Sequence, residues 1–398
     1  MDIIGTGDFT HPKWFLEIQE QLAECGNGLL KLRPEFFPAE LNVAEKEQIA
    51  KIRFILSAEI SSIYSHNGKT RRIHNLLLAP SVDAVKKIIV ELEKRRAKLG
   101  SDGRPIVGIA SKELLRLVLE ADSACMLIPA HVWTPYFGLF GSMSGYDSVE
   151  ECFEDLSPHI YALETGLSAD PEMFWRISKF DRFTLVSCSD PHSLPRIGRE
   201  CNVFDLPESE VSYAELTRII KERDRERFLH TLEYYPEEGR YHYDGHRDCK
   251  ISLHPSETAQ KAGICPVCGK KLTIGVLSRA EQLADRPEGF KPQDLIPGKH
   301  FVVLEEIIAE ALGMASVSSK KVQAEYMRMT GAHTEFEILL DLPESEIYKL
   351  CGSGNIAEAI LNMRAGKVQI IPGYDGEYGK IKLFEHAAAR KNNLQTLF

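Results

Sequence analysis

The chain has 398 residues, 43% of them hydrophobic and 27% charged, with a formal net charge of −10. That length suits two or three domains, and no apolar run approaches the ~20 residues that a membrane-spanning helix needs. No basic stretch followed by an apolar one opens the chain, and nine scattered cysteines with one tight pair suit a reducing, cytoplasmic setting better than a disulfide framework.

In chain order, Asp2–Gly5 is predicted as a strand and residues 12–24 as a helix. Phe54–Ala58 and Ile73–Leu78 are predicted strands, and helical periodicity follows over 82–98. Ile106–Ile109, Met126–Pro129, Tyr161–Leu163 and Phe183–Val186 continue the strand series. Strands alternating with helices predict an α/β class with parallel strands, in which chemistry gathers at the C-terminal strand ends.

Polar residues fall at those ends: Asp8 and His11, Glu59, His131, Glu164, and Asp190 with His192. His74 lies inside its strand. In "SDPH", Asp190 and His192 are two apart, so an extended backbone points both to one side. They either converge on an ion or form a plain polar turn cornered by Pro191. The basic runs Lys69–Arg72 and Lys94–Lys98 are candidate phosphate contacts, with a solvated helix face as the rival explanation of the second. The acidic net charge argues mildly against a wholly basic surface.

From about 229 to 290 the texture changes. "HRDC" and "CPVC" give two ligand pairs at the same spacing, and Gly269 after the second lets the backbone turn tightly around an ion. His246, Cys249, Cys265 and Cys268 suit a closed, structural Zn²⁺ site, with His254 as the rival fourth ligand. Residues 302–314, 319–330 and 355–365 are predicted helices. Near the end Gly373, Gly376 and Gly379 recur around Tyr374 and Tyr378, an aromatic loop that either stacks on bases or packs a turn.

"GTGDFTHP", "ILSAEISSIYSHNGKTRRIHNLLLAP", "IPAHVWTPYFGLFGSMSGYDSVEECFEDL", "ALETGLSADP" and "SCSDPHS" resemble the PHP (polymerase and histidinol phosphatase) superfamily. With "YHYDGHRDC", "CPVCGKKLTIGVLSRAEQLADRPEG" and "PGYDGEYGKIKLF", nearly the whole chain resembles the endonuclease Q family. The resemblance implies an α/β fold: a PHP-type distorted (βα)7 barrel, a zinc-ribbon-like insert and a helical C-terminal part. The expected domains are 1–228, a metal-dependent hydrolase; 229–290, zinc-binding; and 291–398, helical and DNA-binding. It implies a cluster of up to three divalent ions, Zn²⁺, Mn²⁺, Mg²⁺ or Fe²⁺, on Asp8, His11, Glu59, His74, His131, Asp190 and His192. All of these but His74 are also expected to be catalytic.

The implied reaction is hydrolysis of a DNA phosphodiester on the 5′ side of hypoxanthine, uracil, xanthine or an abasic site. Such ions activate water and offset phosphate charge, and a deaminated, mispaired base flips out of the stack most cheaply. Trp133, Tyr136, Phe137 and Phe140 either contact the base or pack under the barrel mouth, and Tyr374 is a further candidate. Arg71, Arg72 and Arg196 are candidate phosphate contacts. A UvrD-type helicase is an implied partner, though the chain itself has no Walker A motif. The closing "QTLF", through Gln395, Leu397 and Phe398, loosely resembles a sliding-clamp peptide or is a frayed end.

Two departures from the family stand out. Ser278 occupies a position where a histidine is expected. The superfamily opens on a strand bearing Asp-x-His-x-His, and this chain starts at the second motif. The expectation is that Met1 is internal to a longer gene or a truncation, that one stave and two histidines are missing, and that this form is inactive or poorly folded. Two rival functions follow: a phosphatase acting on a small phosphomonoester, and a non-catalytic DNA-binding remnant holding one structural zinc.

Overall fold

The protein is described by a computed structural model covering residues 2–384. The chain divides into two compact units, Met1–Thr231 with Ile274–Gly298, and Leu232–Thr273 with Lys299–Phe398. The segment 229–290 is thus shared between them, the chain returning to the first unit at Ile274.

In the first unit, β1 (Ile3–Gly5) leads into α1 (Pro12–Gln21). His11 caps this helix and Pro12 opens it, where proline's missing N–H costs nothing. The helix stops at Gln21, short of the expected residue 24, because β2 (Leu22–Glu24) pairs antiparallel with β3 (Leu30–Leu32). After α2 (Val43–Lys51), capped by Asn42, come β4 (Arg53–His66) and β5 (Lys69–Ala79). Two strands expected in a parallel array are here the halves of one antiparallel hairpin, in register from Leu56↔Ala79 to His66↔Lys69. Its turn is Asn67-Gly68, at φ 52° and 72°, the left-handed pair a two-residue hairpin loop needs.

Helix α3 (Val82–Lys94) and the two-residue β6 (Ile106–Val107) follow, then α4 (Ser111–Ala121) and β7 (Met126–Pro129). Strands β1 and β6 run parallel to β4, while β7 runs antiparallel to β5. Strands β8 (Ala162–Glu164) and β9 (Thr184–Val186) pair parallel with each other. The backbone N–H of Val132 donates to the Glu164 carbonyl at 3.2 Å, tying the end of β7 to the end of β8.

The core holds Ile60, Ile73 and Leu77 of the hairpin, Val85, Ile88 and Leu92 of α3, and Leu114, Leu115 and Val118 of α4. Each such side chain, fully buried, contributes roughly 1.5–3 kcal/mol. Helix Val276–Leu283 adds Val276 and Ala280 to the same core, with Ser278 buried beside them. The Arg279 guanidinium locks that helix by donating to the carbonyls of Phe140 at 2.9 Å and Tyr146 at 3.1 Å, and to Asp147.

In the second unit, strands Asp244–His246 and Ile251–Leu253 form a small hairpin over Leu253, Cys265 and Leu272. The three predicted helices occur as Leu304–Ala311, Lys320–Thr330 and Gly354–Arg364. A fourth, Glu344–Leu350, was absent from the periodic pattern because only Ile347 of its seven residues is buried. Arg364 satisfies the carbonyls of Ile338, Leu339 and Leu342 at 2.6–2.9 Å. Gln395, Leu397 and Phe398 lie outside the described residues. Among the described residues, no helix is long and apolar enough to cross a membrane.

Candidate metal centre

The antiparallel register sets Glu59 opposite Leu76 and Ser61 opposite His74. Glu59 and His74 are therefore diagonal neighbours on one face of the hairpin. His131, two residues past β7, completes a group of three whose ligand atoms all lie within 4.8 Å of one another. Glu59 Oε1 lies 2.7 Å from His74 Nδ1 and 3.3 Å from His131 Nε2, and the two ring nitrogens are 3.0 Å apart.

Two imidazole nitrogens and a carboxylate oxygen converging on one point is a donor set that fits a divalent transition-metal ion. Thr134 Oγ1 lies 2.9 Å from His131 Nδ1, which leaves Nε2 to face Glu59. Burial opposes ionisation of Glu59, but the His131 and His74 hydrogen bonds outweigh it and hold the carboxyl well below the usual range. Burial likewise opposes charging of His131, yet Glu59, Glu164 and Asp190 push it up to about 9. In His74 burial wins, and its pKa is lowered.

The remaining predicted ligands divide. Asp8 stands beside the centre, its carboxyl raised by burial and then by the charges of Asp102 and Glu59. Asp190 contributes negative charge at His131. Asp8, His131 and Asp190 have φ of 45°, 30° and 38°, a left-handed region that non-glycine residues enter at a cost and that clusters at functional sites. His11 and His192, expected as ligands, do not join the three. Nδ1 of His11 accepts the Trp14 amide as a helix cap, and Nδ1 of the exposed His192 donates to the Asp190 carbonyl.

Two groups near the centre were missed as site residues. Glu164, read only as a strand-end acid, is buried, and its Oε2 accepts the His131 amide at 2.6 Å. Burial, the first cause, pushes it up to about 7. Arg104 donates to Glu59 Oε1 at 3.1 Å from the segment before β6. Gly103 leaves room for the Asp8 carboxylate, which a Cβ there would displace. Glu164 was legible as an acid at a strand end. Arg104 carried no signal in the sequence, because it belongs to no strand end or motif.

The aromatic candidates are corrected in part. Trp133 is 1% exposed and Phe140 0%, and Trp133 packs against Phe140, Phe174 and Phe180. Neither presents a face to a base. Tyr136 is 46% exposed, and the Phe137 ring lies 4.5 Å from that of His74. Arg71 stacks 3.9 Å over Tyr146 and donates to the Gly145 carbonyl, so it holds the loop. Arg72 and Arg196 are exposed. Tyr374 packs onto Gly245, where a Cβ would collide with its ring.

In the second unit the ligand atoms of His246, Cys249, Cys265 and Cys268 also lie within 4.8 Å of one another. His254, the rival ligand, is instead the N-cap of helix Pro255–Gln260, with Nδ1 2.9 Å from Ser256 Oγ. Burial opposes ionisation of Cys265, but the amides of Cys268 and Val267 bring it down to about 7, favouring the thiolate a metal needs. The four donors suit a closed tetrahedral metal site.

Residues 303–367 match the family model of the MJ0043 C-terminal domain, and residues 252–274 match a heavy metal binding domain. The chain is 28% identical to the uncharacterized protein MJ0043 of Methanocaldococcus jannaschii over 75% of its own length, and 28% identical to the uncharacterized protein YqxK of Bacillus subtilis over 66%. It spans 39% and 62% of those two relatives. Among solved structures it is similar to the lesion-specific endonuclease PfuEndoQ of Pyrococcus furiosus, at TM-score 0.81 and 28% identity, covering 97% of this chain and 88% of that one. A complex of endonuclease Q with a 27-mer duplex bearing an abasic lesion at the active site matches at TM-score 0.80 and 28% identity, covering 97% and 89%.

Proposed function

From a likeness to endonuclease Q that runs over 97% of the chain, we propose that this protein is a metal-dependent DNA repair endonuclease. Its substrate is duplex DNA carrying hypoxanthine, uracil, xanthine or an abasic site, cut on the 5′ side of the lesion. The observation that carries the reading is the convergence of Glu59, His74 and His131, with Asp8 and Asp190 beside them, in a chain of this fold.

Glu59, His74 and His131 would hold the catalytic metal. Bound there, divalent ions supply activation of water and relief of charge on the phosphate. The protein's own part is to keep Glu59 ionised, to fix His131 through Thr134 and the Glu164–amide bond, and to bring Arg104 to the edge of an acidic site. Exposed Arg72 and Tyr136 meet the DNA near the centre, while Trp133 stiffens the loop from below. The second site, on His246, Cys249, Cys265 and Cys268, takes Zn²⁺ and is structural, since four protein donors leave no open position.

The test is incision of a duplex with one deoxyinosine or abasic site, and of its undamaged counterpart, with Mn²⁺ or Mg²⁺. A single cut 5′ of the lesion, abolished by chelation and absent from undamaged DNA, is expected. Hydrolysis of a phosphomonoester without DNA incision would overturn the reading.

A further inference from the structure

The glycine-rich loop of the second unit has a use that its fold does not absorb. Residues 374–377 form a tight turn, closed by Tyr374 N–H to the Glu377 carbonyl at 3.0 Å and by the reverse bond at 2.8 Å. Gly373 and Gly379 are required by contact, since a Cβ at either would overlap backbone of residues 237–239. Gly376 differs. Its φ is 92°, and around the place where its Cβ would stand three donors gather: Arg247 Nη1 at 3.4 Å, Tyr241 Oη at 3.8 Å and Arg240 Nη2 at 4.0 Å.

None of these three atoms has a hydrogen-bond partner among the described residues. Arg240 is held by Nε alone, which donates to the Gly376 carbonyl at 2.9 Å, and the Arg247 backbone N–H is held by Asp375 at 2.6 Å. The Asp375 carboxylate is committed there and to Thr273 Oγ1, also at 2.6 Å. Glu377 Oε1 stands 4.0 Å from Arg247 Nε and leaves the terminal nitrogens of that guanidinium free. Arg247 Nη1 and Arg240 Nη2 both stand within 4.0 Å of one point with free donors, so an anion there offsets the repulsion of two like charges. The fork geometry of arginine matches a phosphate oxygen pair. Arg240 also lies 4.9 Å over the ring of Tyr378, which is 68% exposed.

We infer that Arg240, Tyr241 and Arg247 form a binding site for a backbone phosphate of DNA on the bare face of Gly376, with Tyr378 as an adjoining platform. The inference rests on the endonuclease reading and names where the second unit grips the substrate.

The experiment measures affinity of the full, metal-loaded chain for lesion-bearing and undamaged duplexes across a salt series, beside single-turnover incision at saturating enzyme. Each phosphate contact contributes about 0.9 to the slope of log affinity against log salt. Arg247→Gln, whose side chain makes no hydrogen bond to the loop and only the 4.0 Å exposed ion pair with Glu377, is expected to lower the slope by about that amount on both duplexes. Arg247→Lys keeps the slope, and the double variant with Arg240→Gln lowers it by about twice as much. Incision of bound DNA is unchanged, and melting confirms the fold. Slopes equal to wild type in the double variant overturn the site while incision upholds the enzyme. Slope loss without incision by wild type upholds the site and overturns the enzyme, and no DNA binding by wild type overturns both.

Discussion

At the scale of single residues, the centre is a set of side chains held where their backbones are unfavourable. His131 has φ 30° and is fixed from three directions: its amide by Glu164, its Nδ1 by Thr134 and its Nε2 by Glu59. Loss of such an orienting partner typically lowers metal affinity about 10–100-fold. Thr134→Val should weaken metal binding at the proposed centre by that order, read by competition with a chelating dye, while the melting temperature stays near wild type. Trp133 makes the opposite prediction. Buried among Phe140, Phe174 and Phe180, it contributes packing, and Trp133→Ala should cost about 3–5 kcal/mol in denaturant unfolding. A stacking residue would lose affinity for DNA and little stability. An aromatic in a glycine-rich loop looks the same in sequence whether it faces DNA or core, and only the neighbours contributed by distant segments distinguish the two. Pro12 marks the first position of its helix, which places His11 at the cap.

At the scale of elements, the long hairpin decides the site, because it alone brings Glu59 and His74 onto one face. The local signal was present in Asn67-Gly68, flanked by β-rich runs. It was outweighed by the alternation of strands and helices along the chain, which favours parallel pairing. A β-branched residue at a φ of 72° is strained, so Gly68→Val should lower stability by about 1–2 kcal/mol and weaken the catalytic metal with it. Unchanged metal affinity in a destabilised variant would mean that the hairpin does not organise the centre. Of the two candidate fourth ligands, His246 matched the spacing of the cysteine pair, but spacing alone left His254 open. The helix beginning at Pro255 separates them, by taking His254 as its cap.

At the scale of the whole molecule, the two units hold two kinds of site. The four donors of the second unit lie within 4.8 Å of one another, and among the described residues a small core of Leu253, Cys265 and Leu272 stands beside them. Cores this small depend on metal for folding. Cys265→Ser should release one Zn²⁺ per chain and expose 232–273 to limited proteolysis, while the first unit's own core stays protected. The α/β class, the His/Cys pairs of the insert and the choice of Glu59, His74 and His131 were readable from residue types and spacing, but Glu59, expected after a strand ending at Ala58, lies inside the long strand Arg53–His66. The partition into units was not, because 274–298 returns to the first unit through Val276, Ala280 and Arg279, residues with no pattern of their own.

The central claim is that Glu59, His74 and His131 form the catalytic centre of a DNA endonuclease. Its most direct test is single-turnover incision of a deoxyinosine duplex by Glu59→Gln beside wild type, with DNA affinity measured on the same preparations. Orienting residues alone are typically worth 10–100-fold, so removing this central carboxylate should slow incision by more than about 100-fold while affinity holds within about threefold. Equal incision by the two proteins would contradict the account.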